Sequence, residues 1–459
     1  MSNSFEAARA AFTEGVRLFE AGQLPQAEAL FLESLRRVPA RPSTLANLAL
    51  VRQRLGRPAE ALEAIEQALQ VQPDDVPAWF HRGQLLQQLQ RPADALAAYE
   101  RLLALDATHG TAWMQRGSLL KDMGRFAEAA ASFRQALAHG ADEELNRYFL
   151  ASAEAALGAG PGGGGSQPPA GPADAEPAAA AGAAANRGVA AVAAPGGGGS
   201  AHEAPPPAAA PATAPRHYVQ SLFDSYAEDF DQHLVGKLGY RTPWLLAQLL
   251  GLPAPAASAA SAASGPSGSP ATATTAAIRP ATLPPTTPTT TPPPHWRSAL
   301  DLGCGTGLMG PLLAPHCGVL DGIDLSPLML QKARALGCYR HLVHGDIVEH
   351  LRSTGDSHDL AVAADVFVYI GELQPVFEGV ARVLGPGGSF AFSVEVAGAG
   401  NERYELRPSS RYAHGEAYVR ALAAAAGFEV AAMERTVLRH DQRHPIGGLL
   451  WRLVRRGVG

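Results

Sequence analysis

Hydrophobic and polar positions fall into two regimes along this chain. Over the first 157 residues small residues recur every 34 positions, at Ala27, Ala61, Ala95 and Ala129. Four residues after each stands Phe31, Ile65, Tyr99 or Phe133, and twelve before each stands Gly15, Ala49, Gly83 or Gly117. Each unit therefore reads as a pair of stacked helices. The small residues let the pair approach, and the large residue one turn on is expected to fill the groove against the next unit. From Trp296 the pattern changes to short apolar runs, each ending in an acid. RSALDLGCGTG, GVLDGIDLSP, RHLVHGD and HDLAVAAD predict four strands, with helices over 306–315, 326–337, 347–354 and 373–384. Alternating strand and helix implies a parallel sheet with right-handed crossovers. GSFAFSVE predicts a fifth strand, and FEVAAMER and LLWRLVRR predict a closing hairpin, for seven strands in all.

The repeated half resembles tetratricopeptide repeats in all four units. That resemblance implies a concave groove lined by Phe12, Phe19, Leu50, Gln53, Phe80, Gln84, Gln88, Met114, Ser118 and Lys121, which takes a peptide or protein partner. The groove is apolar and amide-rich, with little charge. Residues 141–157 predict the solvating cap helix that such arrays need.

Composition divides the chain further. Residues 158–215 hold two GGGGS runs and long Ala/Pro stretches, and 252–294 are rich in Ala, Ser, Thr and Pro. Neither tract carries enough apolar surface to offset the entropy of ordering, so a disordered linker and a disordered insertion are expected. The arm is then tethered to the second half, not packed on it through the linker. The domains read as 1–157, 158–215 and 216–459. A net charge of −6 disfavours a broad basic surface for nucleic acid. Three cysteines without CxxC spacing fit a reducing compartment and no zinc framework. No run of 18 apolar residues occurs and the N-terminus lacks an apolar signal region, so the expected location is the cytoplasm, away from membranes.

The chemistry centres on Asp301-Leu-Gly303-Cys304-Gly305-Thr306-Gly307. Glycines here let the backbone pass close to a ligand, and a following helix offers free N–H donors. Gly305, Gly307 and Gly310 also satisfy GxGxxG, with Asp324 one strand on, so a dinucleotide-binding dehydrogenase competes. Three features weigh against it. Asp301 directly precedes the loop and would repel a pyrophosphate, whereas an ammonium would favour it. Gly345-Asp346 after the third strand suits an exocyclic adenine amine. GPGG at 385–388 precedes a late strand, GSFAFSVE. With these in place, residues 296–459 and 218–243 resemble a class I, Rossmann-like S-adenosylmethionine-dependent methyltransferase. The whole chain is similar to predicted bacterial methyltransferases fused to tetratricopeptide repeats. By that resemblance Asp301, Gly303 and Gly305 meet the methionine part of the cofactor, Cys304 (a small packer) and Gly307 belong to the same cofactor-binding loop, and Asp324 takes the ribose hydroxyls. Leu325, Asp346 and Ile347 flank the adenine, and Asp365 and Val366 border the methyl group.

Methyl transfer needs orientation first and a general base only when the acceptor must lose a proton early. Candidates are Tyr226, on a helix face with Phe230 and His233, and Tyr412 and His414 in the loop expected after strand five, near Tyr404 and Arg411. In the family the first helix acts as a lid. His440 and His444 lie in a segment broken by Pro445, Gly447 and Gly448, so they read as surface residues and no metal is expected.

Overall fold

The computed structural model describes residues 2–158, 211–227, 240–253, 295–398, 403–441 and 444–457. Most of the expected linker and insertion, with Phe230 and His233, lie outside the described residues.

Eight helices pair into four antiparallel units, from α1 (Ser2–Glu20) and α2 (Leu24–Arg37) to α7 (Gly110–Asp122) and α8 (Phe126–Ala138). The periodic alanines are fully buried at the contacts. The large residue four positions on does more than face the next unit, where the Phe133 ring lies 5.7 Å from Phe149 of the following helix. It lies over the glycine of its own unit: a Cβ on Gly83 would stand 2.6 Å from the Tyr99 ring, and one on Gly117 would stand 2.7 Å from Phe133. The absent Cβ is what lets an aromatic ring lie flat between two helices. A second 34-residue period marks the turns. Gly22, Gly56 and Gly124 have positive φ, and Gln90 takes the same left-handed turn at φ 56° without glycine's freedom. Of the expected groove residues, Phe12, Phe19, Phe80 and Gln84 are partly exposed, whereas Met114 and Lys121 are buried. Lys121 Nζ lies 5.7 Å from the Phe149 ring, so it belongs to the end of the arm and not to open groove.

The second half is one mixed sheet of nine described strands. Its core order is β3-β2-β1-β4-β5, with β1 Trp296–Leu302, β2 Cys317–Asp324, β3 His341–His344, β4 His358–Ala363 and β5 Leu384–Val396. These five run parallel. The closing hairpin, β8 (Phe428–Asp441) and β9 (His444–Arg455), adds antiparallel to β5. Seven strands were expected. The additional two are β6 (Tyr404–Leu406) and β7 (Tyr412–His414), in the segment predicted as a loop. β7 pairs with the last two residues of β5, so the hairpin overhangs the carboxyl edge of the sheet. The GPGG segment is a bulge inside β5, where the register against β4 jumps from Leu384 to Ser389. The helix predicted from residue 306 shrinks to Gly310–Leu313 followed by a 3₁₀ turn. Phe377, Phe390, Phe392, Phe428 and Trp451 build one face of the core.

The two halves are not merely tethered. The predicted cap helix, α9 (Glu143–Gly158), packs on the sheet domain. The Tyr148 ring sits 5.8 Å from Tyr218 and 6.2 Å from Tyr412, and Phe149 meets Tyr218 edge-on at 5.2 Å. Its solvating role gives way to burial because its outer face carries adjacent aromatics, which water would not cover cheaply. Residues 211–215, expected to belong to the linker, pack on the sheet domain. Thr213 bridges Ile370, and Ala214 donates its N–H to the Tyr369 carbonyl at 2.9 Å.

Candidate active site

One cavity opens at the carboxyl edge of β1, β2, β3 and β4, where open α/β sheets bind their ligands. The four strand-end acids Asp301, Asp324, Asp346 and Asp365 all border it, with Gly303, Cys304, Gly305, Leu325, Ile347 and Val366. Gly307 lies one step behind: its φ is 92°, and a Cβ there would stand 2.7 Å from Leu336. Gly303 is required on two counts, its φ of 66° and a Cβ position only 2.6 Å from Val366 Cγ2.

Electrostatics distinguish the four acids. Asp301 is 1% exposed, and the Tyr339 hydroxyl donates to it at 2.7 Å. Burial raises its carboxyl to about 7, only partly opposed by that hydrogen bond. A buried carboxylate held this high is poised to take a cation. Asp324 accepts from the Gly305 N–H at 2.9 Å and the Ser326 N–H at 2.8 Å. Burial raises its pKa against the lowering effect of those two bonds. Asp346 caps the helix Ile347–Ser353 through the Glu349 N–H at 3.0 Å and pairs with Arg216 Nε at 3.2 Å. Asp365 sits at φ 58°, a strained setting for a residue with a Cβ. Arg439 holds it in a two-oxygen pair at 2.9 and 3.0 Å and reaches on to Glu395. Burial raises the Cys304 thiol far above its usual range, which suits a packing role and not a nucleophile.

Two of the three catalytic candidates, Tyr412 and His414, do not line the cavity. Tyr412 is fully buried, and its hydroxyl donates to the Pro211 carbonyl at 2.6 Å. His414 is fully buried with Nε2 at 2.9 Å from the Ile370 carbonyl and 3.1 Å from that of Gly371. Two carbonyl acceptors require Nε2 to carry the proton, and burial lowers the imidazole to about 4. Both residues brace the wall from behind, because the segment predicted as a loop is a strand that packs inward. Tyr226 closes the helix Arg216–Tyr226, and its side chain lies outside the described residues. His440 and His444 face each other's neighbours across the hairpin turn, and no cluster of metal-ligating groups occurs among the described residues.

The sequence reading missed several wall residues: Tyr240, whose hydroxyl lies 3.3 Å from the Ala364 carbonyl, and Tyr369, Ser410 and Arg439. Arg439 is one of two arginines on β8 and is buried beside Leu438, and nothing in the local pattern separates it from Arg435. The others reach the cavity only through tertiary pairing.

Comparisons with known proteins match both halves. The family model described as a methyltransferase domain matches residues 300–392, and tetratricopeptide repeat models match 46–109 and 110–138. The chain is a tetratricopeptide-repeat arm fused to a methyltransferase domain. Within the methyltransferase domain, the match to a ubiquinone biosynthesis O-methyltransferase of Klebsiella pneumoniae is 28% identical over 101 residues, 21% of this chain and 42% of that protein. The match to nodulation protein S of Rhizobium tropici is 33% identical over 101 residues, again 21% of this chain and 42% of that protein. The chain thus spans about two fifths of the length of these curated relatives. A solved N-methyltransferase NodS from Bradyrhizobium japonicum, in complex with S-adenosylhomocysteine, is 22% identical. It covers 36% of this chain and 80% of its own, with a TM-score of 0.30. A solved MamA protein is 18% identical and covers 33% of this chain and 84% of its own, with a TM-score of 0.32. No helix among the described residues is long and apolar enough to cross a membrane.

Proposed function

We propose that the cavity binds S-adenosylmethionine and that the methyltransferase domain passes its methyl group to an acceptor, with S-adenosylhomocysteine as the other product. The observation that carries this reading is Asp301: a carboxylate buried at the head of a glycine turn, bordering the cavity and raised to about 7 by burial. The ammonium of a methionine moiety supplies a cation, and a pyrophosphate would meet four acids instead. Asp301, Gly303, Cys304 and Gly305 would hold the methionine end, with Gly307 keeping the turn close. Asp324 would accept the ribose hydroxyls on the lone pairs left by Gly305 and Ser326. Leu325, Ile347 and Asp346 would frame the adenine, and Asp365 and Val366 would border the methyl group. The bound cofactor supplies a methyl electrophile on sulfur.

Arg439 fixes Asp365, and Tyr240 and Tyr369 wall the acceptor side. His414 and Tyr412 brace that wall without reaching substrate, so orientation and water exclusion carry the catalysis. The arm recruits a protein partner or substrate through the partly exposed residues Phe12, Phe19, Phe80 and Gln84, in the cytoplasm. Among the curated relatives, one acts in ubiquinone biosynthesis on oxygen, and a solved neighbour methylates nitrogen. The acceptor atom is therefore left open.

A second reading has support in the wall itself: Tyr218, Leu222 and Phe223 make an apolar face under the first helix, which suits a small flat acceptor, with the arm serving only to localise. Calorimetry of the full chain with S-adenosylhomocysteine tests the cofactor. Binding that disappears in Asp324→Ala is expected; uptake of a nicotinamide nucleotide instead would end the proposal. Tritiated-methyl labelling of material captured on the full chain then separates protein from small-molecule acceptors.

A further inference from the structure

The cap helix of the arm touches two segments that border the cavity. On one side is the loop Arg407–Arg411 between β6 and β7. The Tyr148 hydroxyl donates to the Ser410 carbonyl. The Ser152 hydroxyl lies 3.0 Å from the Arg407 carbonyl, 3.1 Å from that of Pro408 and 3.2 Å from Ser410 Oγ. Ser410 is 2% exposed and has φ 56°, a left-handed backbone at a residue with a side chain. Such a conformation persists only when its surroundings enforce it. Inside the loop, the Ser410 N–H donates to the Arg407 carbonyl and the Arg407 N–H to that of Arg411. The remaining hold on Ser410 comes from the arm, and Ser410 and Arg411 line the cavity. On the other side, Tyr148 and Phe149 pack on Tyr218, at the start of the helix whose inner face lines the same cavity. His217 of that helix pairs with Asp142 at the start of the cap, at 3.1 Å.

A charge chain links the loop to the acceptor edge. Arg407 pairs with Glu395 at 3.0 Å, Glu395 with Arg439, and Arg439 with Asp365 at 2.9 Å. Arg439 and Glu395 are each 2% exposed, so the chain is desolvated and has little freedom to rearrange.

We propose that Tyr148 and Ser152 of the repeat arm are positioning residues for the methyltransferase site. Docking of the cap helix fixes the wall formed by Ser410, Arg411 and the helix Arg216–Tyr226, and undocking loosens it. The arm then sets the shape of the site as well as what is brought to it. This rests on the reading of the cavity as the cofactor and acceptor site.

The test uses the full chain with Ser152→Arg, which forces a large cation into the seam, and the milder pair Tyr148→Phe with Ser152→Ala. Two quantities are read: amide hydrogen exchange by segment, and calorimetric affinity for S-adenosylhomocysteine. In Ser152→Arg, exchange over 407–412 and 216–226 should quicken by about tenfold or more, with β1, β2 and residues 24–105 unchanged. The affinity should fall by roughly fivefold, with the mild pair intermediate. Wild-type exchange over 407–412 in Ser152→Arg would overturn the proposal, and so would exchange that quickens equally everywhere. Failure of the wild-type chain to bind S-adenosylhomocysteine would instead remove the cofactor reading, and the exchange result shows separately whether the arm holds the loop.

Discussion

The repeat arm and the methyltransferase domain bury their apolar residues over different ranges of sequence. In the arm each helix packs on its immediate neighbours in the chain, so a contact such as Gly83 on Tyr99 spans 16 residues and recurs with the period. In the domain β5 pairs with β4 before it and with β7 and β9 after it, and β9 is set 60 residues on from β5. A local design repeats itself in the sequence. A non-local one leaves only strand ends and turns to read. The seam between them belongs to the second kind: Tyr148 meets Ser410 across 262 residues.

The comparison is sharpest for stability. Phe377→Ala removes a fully buried ring from the centre of the domain's aromatic core and should cost about 3–5 kcal/mol, lowering the domain's unfolding transition. An equal fall in an arm-only signal would mean that the two halves unfold as one body. Ligand binding comes next. Asp324→Ala removes the carboxylate that accepts from two backbone N–H groups together with the proposed ribose contact, so affinity for S-adenosylhomocysteine should drop by roughly a hundredfold; unaltered calorimetry would refute that assignment.

Acid acts on both halves through buried histidines. His81 in the arm and His414 in the domain are both lowered to about 4 by burial. The unfolded chain protonates them near 6.5 while the folded chain does not, so stability is lost as pH falls from about 6.5 towards 4. The slope is at most ~1.4 kcal/mol per pH unit for each histidine. His81→Gln should flatten that slope in the arm alone; a slope left unchanged in both would place the acid sensitivity elsewhere. Asp301 runs in the opposite sense. Its folded pKa lies above the unfolded value, so its ionisation weakens the empty domain as pH rises towards about 7. Cofactor affinity should conversely fall below pH 7, by up to about tenfold per unit, as the carboxylate is neutralised. The smallest effect lies in the arm's turns. Gln90→Gly relieves a left-handed residue at a position where the other units carry glycine, and should stabilise the arm by up to about 1 kcal/mol in thermal melting.

Much of this architecture was visible in the residue pattern. The 34-residue spacing of Ala27, Ala61, Ala95 and Ala129 marked the arm, because close helix contact demands a small residue at each recurrence. The acids ending successive apolar runs marked the sheet's carboxyl edge, because strand direction in a parallel sheet puts every such end on the same side. Tyr412 and His414 show where that kind of reading stops. Their residue types fit catalysis, yet β-pairing of His414 with Val396 and of Tyr412 with Leu406 turns them into the interior.

By itself the sequence determined what depends on local geometry: the helix pairs, the glycine turn and the acids one strand apart. Tertiary structure alone decided what depends on distant surfaces meeting. It turned a cap helix into a dock, placed Arg439 against Asp365, and bent the β6–β7 loop over the cavity. The reason is physical. A periodic contact leaves a spacing in the chain, whereas a contact between segments hundreds of residues apart leaves two unremarkable residues, each explained only by the other.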